Sequence, residues 1–187
     1  AKDYEGRIFV QPFKKTDIEP LRGLGFGVAG TIGDESGTPG TPNLPTYKTT
    51  GQLTFFRYLQ GSTATTTNTT VANGQHTRVS PQGYYYWGPV GLLGEYVYSD
   101  QEVQKLNTRD HIRNSAWQLT GSFVLTGEDA TFRGVTPKKP FSLKDGTWGA
   151  FELVGRYTEL RVDPDAFPTF ADPNKSAQQA RDWGVGL

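Results

Sequence analysis

The sequence predicts an all-β protein, an antiparallel transmembrane β-barrel with about eight strands in this chain. Three observations carry that prediction. Apolar residues alternate with small or polar ones at a period of two over several segments. Tyrosine and tryptophan crowd one hairpin-like stretch, Tyr84-Tyr85-Tyr86-Trp87-Gly88-Pro89 and then Tyr96-Val97-Tyr98, as amphipathic rings do where lipid meets water. Glycine is abundant at 23 residues and aromatics reach 13%, a mixture suited to strands and turns. No apolar run of about 18 residues exists, which excludes a transmembrane helix. A barrel strand needs only about 9–11 residues, every second one apolar, so low mean hydropathy does not oppose a membrane location.

The elements follow in order. Gly6 to Phe13 begins a strand, and Lys14 to Pro20 is a polar connection. Leu21 to Gly33 alternates, with Leu24, Phe26, Val28 and Ile32 on one face and Gly23, Gly25, Gly27, Ala29 and Thr31 on the other. A nearly bare face leaves room for a closely packed element, a channel or an inserted loop. Asp34 to Thr49 is a Pro- and Gly-rich loop, Gly51 to Leu59 a strand, and Ser62 to Thr70 a low-complexity exposed loop. Asn73-Gly74 signals a tight turn into the aromatic hairpin. Ser99 to Asp110 is charged and suits a helical turn or a loop. His111 to Thr126 sets Trp117, Leu119, Phe123 and Leu125 opposite Gln118, Thr120, Ser122 and Thr126. Glu128 to Asp145 is a loop, and Thr147 to Val162 a strand with Phe151, Leu153 and Tyr157 opposite Glu152, Val154 and Arg156. Asp163 to Lys175 is a loop, and a last strand runs through Trp183. No linker and no fixed-period repeat divides residues 1–187, which read as a single β-barrel domain or barrel fragment.

Periodicity alone does not separate a barrel wall from a sandwich packed on a core. The rival is a soluble β-sandwich carbohydrate-binding module, with Tyr84, Tyr86, Trp87 and Trp148 as a sugar-stacking platform.

Composition narrows the chemistry. Lys plus Arg and Asp plus Glu number 19 each, so net charge points to no nucleic-acid partner, and any charge-based function rests on local arrangement. Cysteine is absent, which excludes disulfides, thiolate metal sites and cysteine nucleophiles. Methionine is absent too, and Ala1 to Gly6 lacks an apolar signal core, so the expectation is a processed or excised chain. His76 and His111 have no metal-ligand spacing, and no Gly-x-Ser-x-Gly nucleophile turn occurs. Glu95 and Glu152 would serve a glycosidase only if folding brought them within about 5–10 Å. No enzyme activity, metal or cofactor is expected.

The aromatic hairpin, Leu125-Thr126-Gly127-Glu128, Gly149-Ala150-Phe151-Glu152-Leu153-Val154-Gly155-Arg156-Tyr157 and Trp183-Gly184-Val185-Gly186-Leu187 occur in one order. Together they resemble the phosphate-selective porins O and P, with the likeness spread from Gly6 to Leu187. The resemblance implies a bacterial outer-membrane porin in contact with membrane lipid, passing phosphate or pyrophosphate by passive diffusion. It also implies a homotrimer or larger assembly, no cofactor, and a barrel with about twice as many strands, of which this chain would be a piece. Family members are expected to use lysines on inward-folded segments, which implies an anion-binding role for Arg133, Lys138, Lys139 and Lys144. By composition that loop is equally a solvated one, since Glu128, Asp129 and Asp145 nearly neutralise it. Arg7, Arg78 and Arg156 sit at polar-face positions of their strands and suit an arginine ladder, with an Arg156–Glu152 ion pair as the competing role. Gly88-Pro89 looks like a short periplasmic-type turn, and alternation of strands puts the basic loop on its side.

Overall fold

The computed structural model describes residues 2–61 and 68–187. Its strands are β1 (Asp3–Val10), β2 (Leu24–Ser36), β3 (Tyr47–Lys48), β4 (Thr54–Phe56), β5 (Val71–Trp87), β6 (Val90–Lys105), β7 (Thr108–Val124), β8 (Glu152–Arg161) and β9 (Gln179–Gly186). A one-turn α-helix, α1, spans Glu19–Arg22, and a 3-10 turn spans Pro164–Ala166. Seven strands form one antiparallel sheet in the order β1-β2-β5-β6-β7-β8-β9, and β3 pairs with β4. The sheet is open, with β1 and β9 at its edges.

The long strands depart from expectation in three places. Asn73-Gly74 is not a turn but lies inside β5, where the register against β6 shifts between Ala72 and His76. Gly74 has φ 134°, and a Cβ there would fall 1.9 Å from the Glu102 carboxylate, so glycine serves a bulge. Residues 99–110 are not helical: β6 runs to Lys105 and β7 restarts at Thr108. Their charges pair across strands, with Asp100 opposite Arg113 and Glu102 opposite His111. Gly51 to Leu59 contributes only the three residues of β4, because its aromatics turn into a packed cluster. The threonine-rich run at 62–67 lies outside the described residues. Gly88-Pro89 is the turn between β5 and β6, with Gly88 at φ 53°.

One face of the sheet is apolar and uncovered. Ile8, Val28, Leu92, Leu119, Phe123 and Leu153 lie on it and are exposed. The register aligns them in transverse rows, Ile8 beside Val28 and Val90 beside Phe123 beside Leu153. Along β6 the apolar run from Val90 to Tyr98 is about 27 Å long at roughly 3.4 Å per residue. At a tilt of about 40° this approaches the ~25 Å band of a transmembrane barrel. A row of aromatics bounds the band: Tyr96 opposite Trp117, and Tyr157 opposite Trp183, with the Trp117 and Tyr157 rings 5.1 Å apart. Exposure of this much contiguous apolar surface marks a membrane-facing or protein-facing wall.

The other face is small and polar, and the folded core lies against one end of it. Segments 37–61 and 162–178 pack Phe56, Tyr58, Val162 and Phe170 onto Val103 and Ile112. Backbone hydrogen bonds from Leu59 to Phe170 (2.8 Å) and from Ala177 to Phe55 (2.7 Å) lace the two segments together. Burial pushes the Tyr58 phenol pKa well above its usual value. Phe56 is fully buried, so Phe56→Ala is expected to cost about 3–4 kcal/mol and open this plug. Proteolysis within residues 37–61, with β5 to β7 still protected, is the check.

The β-sandwich reading does not survive, because among the described residues the second sheet is only the two-stranded β3–β4 pair, which covers one end of the polar face and leaves the whole apolar face uncovered. Nor do its four aromatics share a platform. Tyr84 and Tyr86 stand on the polar face and Trp87 on the apolar one, while Trp148 packs beside Phe141 at 6.2 Å.

Candidate functional site

At the Gly88-Pro89 end, the segment 125–151 folds back over the polar face. Leu125 N–H donates to the Phe151 carbonyl (2.8 Å) and Ala130 N–H to the Gly88 carbonyl (2.7 Å), which fixes the loop at that end. Its hold on the sheet is aromatic: Phe132 stacks on Tyr84 at 5.0 Å and Tyr84 on Phe9 at 5.4 Å. The bare strand β2 makes room for that stack. A Cβ on Gly25 would lie 2.7 Å from the Tyr84 ring, and one on Gly27 2.7 Å from the Phe9 ring.

Between loop and sheet lies an open cleft of about 1010 Å³, lined by Arg7, Lys14, Arg22, Glu95 and Arg133 among others. Four cations therefore face one carboxylate. Arg7 donates to Gln82 Oε1 (3.1 Å) and lies 5.8 Å from the centre of the Phe9 ring. Arg22 donates to the Thr16 carbonyl (2.7 Å). Glu95 accepts from Ser80 (2.7 Å) and Gln118 (2.9 Å), neutral donors that hold the carboxylate against the wall. The side chains of Lys14 and Arg133 make no hydrogen bond or ion pair among the described residues, and their charges are unspent.

Of the four cations expected in the loop, only Arg133 lines the cleft. Lys138 Nζ turns back to the Gly127 carbonyl (2.9 Å), while Lys139 and Lys144 are exposed. The strand arginines do share the polar face, at different levels. Arg78 pairs with Thr31, and Arg7 with Ala29, itself opposite Ser80. Arg156 pairs with Thr120, reached through Leu93 from Tyr84. On β5 these levels are residues 78, 80 and 84, a staircase of roughly 20 Å. The expected Arg156–Glu152 ion pair is not formed among the described residues. Arg156 instead sits near Asp182, whose carboxylate accepts from Thr50 N–H (2.7 Å) and Oγ1 (2.8 Å). Lys14 and Arg22 went unmarked as site residues because they lie in a connection and a helical turn, where alternation gives no facing signal. The paired Lys14-Lys15 was the available hint.

Glu128 anchors the loop. A hydrogen bond from Thr126, with a second from the Lys138 backbone N–H (3.3 Å), holds its carboxyl below the usual carboxylate range. A lowered folded pKa gives stability that is present above the unfolded value and lost as pH falls through the folded one. Acidification below about pH 4 is therefore expected to loosen 125–151. Faster hydrogen exchange at the Ala130 and Lys138 amides would report it, and Glu128→Gln should remove the pH dependence.

The sequence comparison agrees with this architecture. Residues 46–186 match the family model described as phosphate-selective porin O and P. No curated protein and no solved structure matches the chain. An antiparallel sheet with one exposed apolar face, together with a family match over most of its length, establishes that the chain belongs to the phosphate-selective porin O and P family.

Proposed function

We propose that this chain is part of the wall of a bacterial outer-membrane channel for passive diffusion of anions, phosphate and pyrophosphate foremost. The observation that carries the reading is the cleft under the inward-folded loop, with four cations against a single carboxylate. Hydrogen phosphate is attracted there by Lys14 as a point charge and by the arginines through paired N–H donors. Arg78, Arg7 and Arg156, stepped along the face, offer successive sites, so that no single one traps the ion. Unpaired edges cannot face hydrocarbon, so in the membrane the free edges of β1 and β9 are paired. A homotrimer is the assembly that the family resemblance favours.

The test is conductance of the full-length protein in planar bilayers, in chloride with and without phosphate. Arg7→Ala with Arg133→Ala is expected to weaken phosphate block about tenfold, a loss of about 1.4 kcal/mol. Lys138→Ala should change it little, since its ammonium is already bonded to the loop backbone. Phe132→Ala removes the ring that stacks on Tyr84 and should raise unit conductance by freeing the loop. Channels indifferent to phosphate and to both arginines would defeat the proposal.

A further inference from the structure

Beyond the aromatic row, the outward face of the sheet changes from apolar to charged, with Asp100, Glu102 and Glu159 set among arginines. Arg109, Arg113, Arg161 and Arg181 all stand there, on β7, β8 and β9. Each spends its Nε on the protein: Arg109 on Gln104 (3.1 Å), Arg113 on Asp100 (3.3 Å), and both Arg161 and Arg181 on the two oxygens of Glu159. Glu159 is only 5% exposed beneath them, whereas the side chains of Arg113, Arg161 and Arg181 are 59%, 61% and 58% exposed. Among the described residues the Nη atoms of all four arginines make no hydrogen bond. Asp100 and Glu159 therefore act as tethers for Arg113, Arg161 and Arg181 that leave the Nη edge of each guanidinium unused, and that edge matches two oxygens of a phosphate.

Position identifies the ligand. Arg113 and Arg161 lie four residues beyond Trp117 and Tyr157, and Arg181 two beyond Trp183, or about 7–13 Å along the strands. Tilt reduces this to roughly 5–10 Å, the thickness of one headgroup layer. Apolar band, aromatic row and guanidinium row thus follow the order of acyl chain, interface and phosphate in a lipid leaflet. Resting on the membrane-spanning reading above, we infer that Arg113, Arg161 and Arg181 form a site on the outer wall for the phosphate-bearing headgroup of a membrane lipid. The acidic partners lower the net charge of the patch, which favours a ligand that can use directed Nη–H donors over diffuse attraction.

The experiment reconstitutes the full-length protein in phosphatidylcholine vesicles with and without phosphatidic acid. Lipids retained after transfer to detergent are then counted by native mass spectrometry. Wild type is expected to retain phosphatidic acid at least tenfold over phosphatidylcholine, undisturbed by excess inorganic phosphate. Because removing the arginines alone would strand Glu159, the variant is Glu159→Gln with Arg161→Gln and Arg181→Gln, and Asp100→Asn with Arg113→Gln is the second. Each should lose most of that preference with channel conductance intact. Equal retention of both lipids by a conducting wild type, or unchanged retention by both variants, would overturn the site while leaving the channel reading standing. An oligomer joined through this face, dissolved by Arg181→Glu, would overturn it in favour of a second copy as the occupant. A protein that neither inserts nor conducts would bring down both readings together.

Discussion

Arginine at both Leu92 and Leu119 is expected to keep the protein out of the membrane, whereas arginine at Gln118 leaves insertion intact. Leu92 and Leu119 are exposed on the apolar face, inside the band bounded by the aromatic row. A cation at the middle of such a band costs about 2–4 kcal/mol, so the pair costs roughly 4–8 against a typical total stability of about 5–15. Gln118 neighbours Leu119 in sequence but faces the other way, where it donates to Glu95. An arginine there gains a carboxylate partner in an aqueous setting. Heat-modifiable gel mobility of protein recovered from membranes separates the two cases. Equal folding of L92R/L119R and Q118R would contradict the assignment of faces.

Reversing charge in the cleft is expected to invert ion preference. Arg7→Glu with Arg133→Glu changes the lining from four cations and one carboxylate to two cations and three carboxylates. Each residue contributes through position. Arg7 is braced by Gln82 and the Phe9 ring, and Arg133 follows the Phe132 that clamps the loop to Tyr84. Reversal potentials in a potassium chloride gradient should change sign, and phosphate block should disappear. Glu128→Gln, which touches the anchor and leaves the lining charges in place, should not change the sign.

How far the sequence could be read follows from where alternation holds. Phe26, Val28 and Ile32, and Trp117, Leu119 and Phe123, emerge on one face as their spacing predicts, because a strand fixes facing by parity alone. Parity also put Arg7, Arg78 and Arg156 on the polar face. The errors fall where a tertiary contact outweighs local propensity. Asn73-Gly74 favours a turn, yet in β5 Gly74 accommodates the Glu102 carboxylate. The charges of 99–110 look solvated until Asp100 meets His111 (2.9 Å) and Arg113 across the ladder. In the basic loop, composition shows four cations but not their aim. That Arg133 enters the cleft while Lys138 turns back depends on the Phe132 stack and on the Gly127 carbonyl.

In a channel wall of this kind, the apolar face meets lipid and the polar face meets water within one strand. This chain has no cysteine of its own, so single cysteines can be placed along β7, in the full-length protein freed of any other cysteine, and exposed in its membrane to a charged, membrane-impermeant maleimide. Labelling is expected at 118, 120 and 122 and protection at 117, 119 and 123. Equal labelling on both faces, or protection of 118, 120 and 122, would contradict it.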